Sequence, residues 1–221
     1  MTGAGAWSAA MNPRLAHDLR RGGGGVVAGA DEAGRGCLAG PLVAAAVAFD
    51  YAAWTDADFA ALETLNDSKK LTRARREAVF AGVVARATRL AVVSCSAATI
   101  DSRGLHRCNL RALDRALALL GPVDGPVFVD GFALRASVVA HEALVGGDGL
   151  SAAVAAASIV AKVTRDRLMV ALHERFPDYG FDRHVGYSCP GHRRAIVEHG
   201  VCELHRMSFA SVAYQQLGLE L

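Results

Sequence analysis

Two runs, Val26–Ala30 and Leu42–Phe49, contain no polar side chain and are introduced by glycine-containing segments, Gly22–Gly25 and Gly40-Pro41. Such segments read as buried strands, which commits the chain to a covered sheet. Further strands are expected at Leu90–Cys95 and Val127–Asp130, with a fifth near Ser137–Ala140. Helical signals follow. Thr72 is a natural N-cap for a helix over Arg73–Arg89. From Leu105, apolar residues recur at Cys108, Ala112, Leu113, Ala116, Leu117 and Leu120 until Gly121-Pro122 stops the pattern. The longest helix is expected from Ser151 to Phe176, Ala-rich at its start and ended by Pro177. Two short helices are expected near Pro190–His199 and Ser208–Leu217. Strands first, then strand–helix alternation, predict an α/β fold with a mixed sheet.

At 221 residues and 52% apolar, the chain can form one full domain, and 21% charged residues is too few for bulk disorder. The apolar stretches at Cys37–Phe49 and Ala152–Ala161 fall short of the ~20 residues of a membrane span. Residues 1–25 read as a mobile tail, with a short helix around Pro13–Arg21 and four glycines before the body starts at Val26. The N-terminus lacks the apolar stretch of a signal peptide and the five cysteines form an odd set, so free thiols in a cytoplasm are expected. A net charge of +2 leaves any phosphate-binding surface to a local patch.

The chemistry concentrates in Gly29-Ala30-Asp31-Glu32-Ala33-Gly34-Arg35-Gly36. Two adjacent carboxylates interrupt an apolar strand, and buried carboxylates need a cation, hydrogen bonds or a shifted pKa. A surface turn with an Arg35 ion pair would account for the acids alone, but less well for the glycines around that Arg. Those glycines allow close backbone approach to a ligand. Asp130 ends the strand Val127–Val129, at the strand terminus where open α/β sheets gather ligands. Asp148 precedes the long helix and would by itself be an ordinary cap. Together Asp31, Glu32, Asp130 and Asp148 supply oxygen ligands of the hard kind that suits Mg²⁺ or Mn²⁺. Of the 24 basic residues only Lys69, Lys70 and Lys162 are lysine, a hint of sites wanting a compact ammonium.

This pattern resembles ribonuclease HII. The resemblance rests on Gly29–Gly36 with Leu38-Ala39-Gly40-Pro41, Asn66-Asp67-Ser68-Lys69-Lys70-Leu71, Val129-Asp130-Gly131 and Gly147-Asp148. It continues through Ala156–Lys162, Gly186-Tyr187 and His205-Arg206-Met207-Ser208-Phe209, in family order across the folded body. It implies a ribonuclease H-like mixed five-stranded sheet flanked by helices. The catalytic domain would span 26–176, and a small helical extension over 177–221 would help bind substrate. It implies an endonuclease that cuts the RNA strand of RNA–DNA hybrids and the 5′ side of single ribonucleotides in duplex DNA, leaving a 3′-hydroxyl. Asp31, Glu32, Asp130 and Asp148 would be its catalytic metal ligands for two divalent ions, Mg²⁺ or Mn²⁺. The Gly34-Arg35-Gly36 backbone and Tyr187 would read the 2′-hydroxyl, and Lys69 and Lys70 would hold phosphates. A monomer is expected; the residues specify no sliding-clamp contact and no membrane partner.

Three other readings stand beside it at this point. A carboxylate-pair glycosidase would use Asp31 and Asp130 without metal. A non-catalytic hybrid-binding protein would be natural had a carboxylate been lost. Another two-metal nuclease, such as a resolvase, would need no 2′-hydroxyl. Separately, Cys189-x₂-His192 and Cys202-x₂-His205 are formally a zinc ligand set, though buried cysteines beside family histidines explain them as well.

Overall fold

Among the described residues, five strands form one mixed sheet in the order β3-β2-β1-β4-β5. They are β1 (Val26–Ala33), β2 (Leu42–Asp50), β3 (Arg89–Cys95), β4 (Val127–Asp130) and β5 (Glu142–Leu144). β2 runs antiparallel to both β1 and β3, whereas β4 runs parallel to β1 and to β5. The computed structural model describes residues 11–135, 137–209 and 212–217. The helices in chain order are α1 (Pro13–Gly22), α2 (Asp56–Ala61), α3 (Arg73–Arg86), α4 (Ala97–Arg103) and α5 (Leu105–Leu120). After β5 come α6 (Gly147–Leu150), α7 (Ala152–His173), α8 (Phe181–His184), α9 (Pro190–His199) and α10 (Val212–Gln216).

The apolar runs are continuous because both sheet faces are covered. Val27, Val43, Ala45, Val47 and Phe49 pack with α7, α1 and α3 on one face. Ala28, Ala30, Leu42, Ala44, Ala46 and Ala48 pack with α5 on the other. The Ala-rich first turns of α7 lie directly on β1. A Cβ at Gly29 would stand 2.3 Å from the Ala153 carbonyl carbon and the Val154 nitrogen, so only glycine permits this approach. No helix among the described residues is long and apolar enough to cross a membrane.

Five expectations need correction. The helix expected around Pro13–Arg21 forms, over Pro13–Gly22, but it is docked where a mobile tail was expected: Leu15 and Leu19 sit in the core and Asp18 is buried. Its sequence pattern is amphipathic, but glycines on one side hid its attachment. Residues 1–10 lie outside the described residues. The fifth strand lies at Glu142–Leu144 instead of Ser137–Ala140, because the preceding segment is spent on turns: Val138 is 95% exposed and His141 Nε2 accepts from the Leu134 N–H. The long helix stops at His173, and α3 stops at Arg86 because Arg89 already pairs with Ala48 in the sheet. The second expected C-terminal helix begins at Val212; residues 210 and 211 lie outside the described residues.

Candidate active site

Alternation along β1 sends its two acids to opposite faces. Asp31 turns toward α7, where the Ser158 hydroxyl faces it, and Ser158 Oγ is 3.0 Å from Ser68 Oγ. Glu32 turns toward α5, beside Asn109. β1 and β4 are parallel with Ala30 opposite Val129, so the next residues, Asp31 and Asp130, emerge together. Asp130 Oδ1 accepts from the Gly147 N–H at 2.7 Å, which draws Asp148 of α6 alongside. The four carboxylates thus arrive from the ends of two adjacent strands and one short helix.

Their electrostatics show the cost of this arrangement. Burial pushes the Asp31 carboxyl well above its usual range, and Glu32 and Asp130 push it further. Burial raises Glu32 as well, opposed by Arg35. Burial also raises Asp130; the Gly147 N–H opposes this and Asp148 adds to it. Glu32 Oε2 is buried without a hydrogen-bond partner, as are both polar atoms of the Asn109 amide. An oxygen-only cluster that repels itself and keeps an orphaned carboxylate oxygen fits a divalent cation. Among the described residues, no three His, Cys, Asp or Glu side chains are yet gathered to hold an ion as they stand. The acids form an open mouth that an ion would have to draw together.

The mouth belongs to a cleft of about 650 Å³ lined by Asp31, Glu32, Gly34, Arg35, Gly36, Ser68, Lys69, Asp130, Lys162 and Tyr187, among others. Asp148 does not line this cleft; it stands near enough to Asp130 to raise that carboxyl. Lys69 reaches the cleft and acts on Asp130, whereas Lys70 is exposed outside the lining. Arg35 Nη1 is 3.3 Å from Glu32 Oε1.

Below the Gly34–Pro41 turn lie two fully buried arginines, Arg165 and Arg206. Arg165 donates to the carbonyls of Pro41 at 2.8 Å, Ala39 at 2.9 Å and Val185 at 2.8 Å. Arg206 donates to Gly40 O through Nε (3.0 Å) and Nη2 (2.9 Å), and to Arg35 O at 3.0 Å. Each guanidinium satisfies carbonyls that an irregular buried turn would leave unpaired. Burial lowers the Arg206 pKa to about 10. Gly34 has φ +94°, and a Cβ there would meet Arg165 Nε at 2.2 Å, so turn and brace fit only with glycine. Sequence reasoning missed Arg165 because nothing distinguishes it from the other arginines; its spacing from Lys162 on one helix face is the signal available.

Tyr187 is 39% exposed, and its backbone bridges to Cys37 within the turn. Lys162 Nζ stands 4.9 Å from the centre of its ring and is paired with Asp166 at 2.8 Å. The carbonyl of Tyr187 is held from behind by a histidine pair. The Cys202 N–H donates to His205 Nδ1 at 2.9 Å, so His205 carries its proton on Nε2 and gives it to His192 Nε2 at 3.2 Å. His192 Nδ1–H then donates to Tyr187 O at 2.9 Å. The Cys-x₂-His pairs are engaged in this way: Cys189 Sγ accepts from the His192 N–H and Cys202 Sγ contacts His205 Nδ1. Burial, the largest cause, lowers both imidazoles to about pKa 4. Because the folded state then binds fewer protons than the unfolded chain, stability contributed by this pair is lost as the pH falls from about 6.5 toward 4. NMR titration should find both rings neutral until the pH nears 4, with melting temperatures declining across that window. A ring titrating near 6.5 would contradict this relay.

With this geometry in hand, comparison with known proteins is specific. The family model described as Ribonuclease HII matches residues 28–212. The chain is 50% identical over 199 residues to a ribonuclease HII of Salinispora arenicola, covering 90% of this chain and 72% of that protein. It is 48% identical over 187 residues to one from Burkholderia ambifaria, covering 85% and 83%. Among solved structures, the RNase HII of Archaeoglobus fulgidus, determined in a complex with PCNA, aligns with a TM-score of 0.71 at 29% identity, covering 84% of this chain and 96% of that one. The ribonuclease H2 of Pyrococcus horikoshii aligns at 0.68 with 25% identity, covering 86% and 96%. The chain belongs to the ribonuclease HII family and is a metal-dependent hydrolase of phosphodiester bonds.

Proposed function

We propose that this enzyme, whose family membership assigns it endoribonuclease action on RNA–DNA hybrids, also cuts on the 5′ side of a single ribonucleotide in duplex DNA and leaves a 3′-hydroxyl. The observation that carries this reading is the placement of the mutually repelling Asp31, Glu32 and Asp130 beside the braced Gly34–Gly36 turn and Tyr187, in one cleft. Two divalent ions, Mg²⁺ or Mn²⁺, held by Asp31, Glu32, Asp130 and Asp148, would supply a nucleophilic water and stabilise the leaving oxygen. The remaining work falls to the protein. Arg165 and Arg206 keep the Gly34–Pro41 backbone rigid, so the groups of Gly34, Arg35 and Gly36 can approach a ribose closely. Tyr187, steadied from behind by His192 and covered by Lys162, offers its ring and hydroxyl to the same sugar. Lys69 supplies a phosphate-binding ammonium at the cleft, and Lys70 could hold phosphates only farther out along the duplex.

A site that hydrogen-bonds a hydroxyl rejects an analogue lacking it by about 10⁴–10⁵, because its polar groups are left unpaired. A metal-titrated assay should therefore show cleavage of a duplex with one ribonucleotide and of a ribonucleotide run, but plain DNA cut more slowly by about that factor. Comparable rates on plain DNA would favour a general two-metal nuclease. Metal-independent cleavage would overturn the role given to the carboxylates.

A further inference from the structure

Helix α1 and its N-cap lie outside the residues matched by the family model, which begin at 28, yet they bond at three points to segments that lead into the cleft. Its N-cap residue Asn12 donates through Nδ2 to Glu63 O and Leu65 O, both at 2.8 Å, and so holds the segment that leads into Asn66–Lys70. Asp18 Oδ2, one turn further on, accepts from the Ala153 N–H at 2.8 Å and the Tyr51 hydroxyl at 3.0 Å, fixing the start of α7. Between them stands Arg14. Its Nε donates to the backbone carbonyl of Asp148 at 2.7 Å and its Nη2 to Asn66 Oδ1 at 2.9 Å. Asn66 Oδ1 in turn accepts from the Asp67 N–H at 2.8 Å.

One planar guanidinium thus joins two segments far apart in the sequence: one carries Asp148, the neighbour of Asp130, and the other delivers Lys69 to the cleft. Asp148 sits on α6, a helix of four residues whose own bonds, such as Ser151 N–H to Gly147 O, do little to fix its position. Lys69 sits on an irregular loop. Each segment has its own anchor, Gly147 to Asp130 for α6 and Ser158 and Arg76 to Ser68 for the loop, and the fork with its two fixed donors ties one segment to the other where a point charge would not set the spacing.

We infer that Arg14 is a positioning residue that sets Asp148 against the Asn66–Lys70 loop, and that α1 serves the enzyme as a brace for its metal site. This inference rests on the reading of the carboxylates as metal ligands. Partners that orient ligand groups from outside the coordination sphere typically change metal affinity by about 10–100-fold when removed.

The test is direct Mn²⁺ binding, followed by the EPR signal of free Mn²⁺, in the full-length wild type and variants, with melting temperatures measured in parallel. Arg14→Met keeps the aliphatic stem and removes the fork; it is expected to weaken Mn²⁺ binding about tenfold. Arg14→Lys should recover part of the loss, since an ammonium can reach one acceptor of the two. Leu19→Ala loosens the packing of α1 without touching Arg14, and should lower the melting temperature while leaving Mn²⁺ affinity unchanged. Wild-type affinity in Arg14→Met would overturn the inference. So would an equal loss in Leu19→Ala, which would make α1 only a stabilising element. If the wild type binds no Mn²⁺ that Asp130→Asn removes, the metal reading itself fails, and the brace with it.

Discussion

Asparagine in place of Asp31 is expected to abolish cleavage and to make the metal-free protein more stable. The catalytic loss should exceed about 10³-fold, because the carboxylate is the most deeply buried of the cluster and transition-state charge stabilisation accounts for several kcal/mol. The stability gain follows from linkage. Asp31 has its pKa raised in the folded state, first by burial and then by Glu32 and Asp130. Between the unfolded and folded pKa values the native state holds a proton that the unfolded chain has released. Stability of the metal-free wild type therefore falls as the pH rises through the folded pKa, and the full penalty is present above it. An amide of the same shape carries no such penalty. Each kcal/mol recovered is worth about 2–4 °C in a chain of this length. Melting curves at pH 8 should place Asp31→Asn above the metal-free wild type, and the difference should shrink as the pH falls toward the ordinary carboxylate range. Added Mn²⁺ should stabilise the wild type and leave the variant nearly unmoved. A variant that melts below the metal-free wild type at pH 8 would mean that the repulsion is not a net cost to the fold.

The same residues explain how much of this protein can be read from its sequence. Asp31 and Glu32 stand out because acids are incongruous in the apolar run Val26–Ala30, and local incongruity is visible without a structure. Asp130 stands out for the same reason at the end of Val127–Val129. The Thr72 cap and the Leu105–Leu120 periodicity are equally local; Thr72 Oγ1 accepts from the Arg75 N–H, and α5 ends before Gly121. What was hidden depends on contacts across long separations. Arg165 meets Ala39 and Pro41, and Arg14 meets Asp148; neither pairing leaves a periodic trace. Asn109 reads as an ordinary polar residue in a helix until the fold buries it beside Glu32. The fifth strand was misplaced because Val138-Val139 has β propensity, while pairing with β4 instead selected Glu142–Leu144.

Replacing Arg165 by Met should cost about 3–5 kcal/mol, the largest stability loss expected from any single change at this site. Methionine can fill much of the volume of the stem. It donates nothing, so the carbonyls of Ala39, Pro41 and Val185 would lose their buried partner, and each such orphan costs about 1–3 kcal/mol before relaxation. Denaturant unfolding measures this directly, and a loss below about 1 kcal/mol would show that water or neighbouring groups take over the three bonds. Arg206→Met should behave similarly, since it strips Gly40 and Arg35 of their donors. The double variant discriminates further. Arg165 and Arg206 hold adjacent carbonyls of one turn, so once the first is gone the turn can relax and the second has less to hold. The combined loss should therefore fall short of the sum by 0.5 kcal/mol or more, on the order of couplings between residues that share a network. Strict additivity would mean that the two guanidiniums brace separate pieces of backbone, and that the rigidity of Gly34–Pro41 does not come from their joint grip.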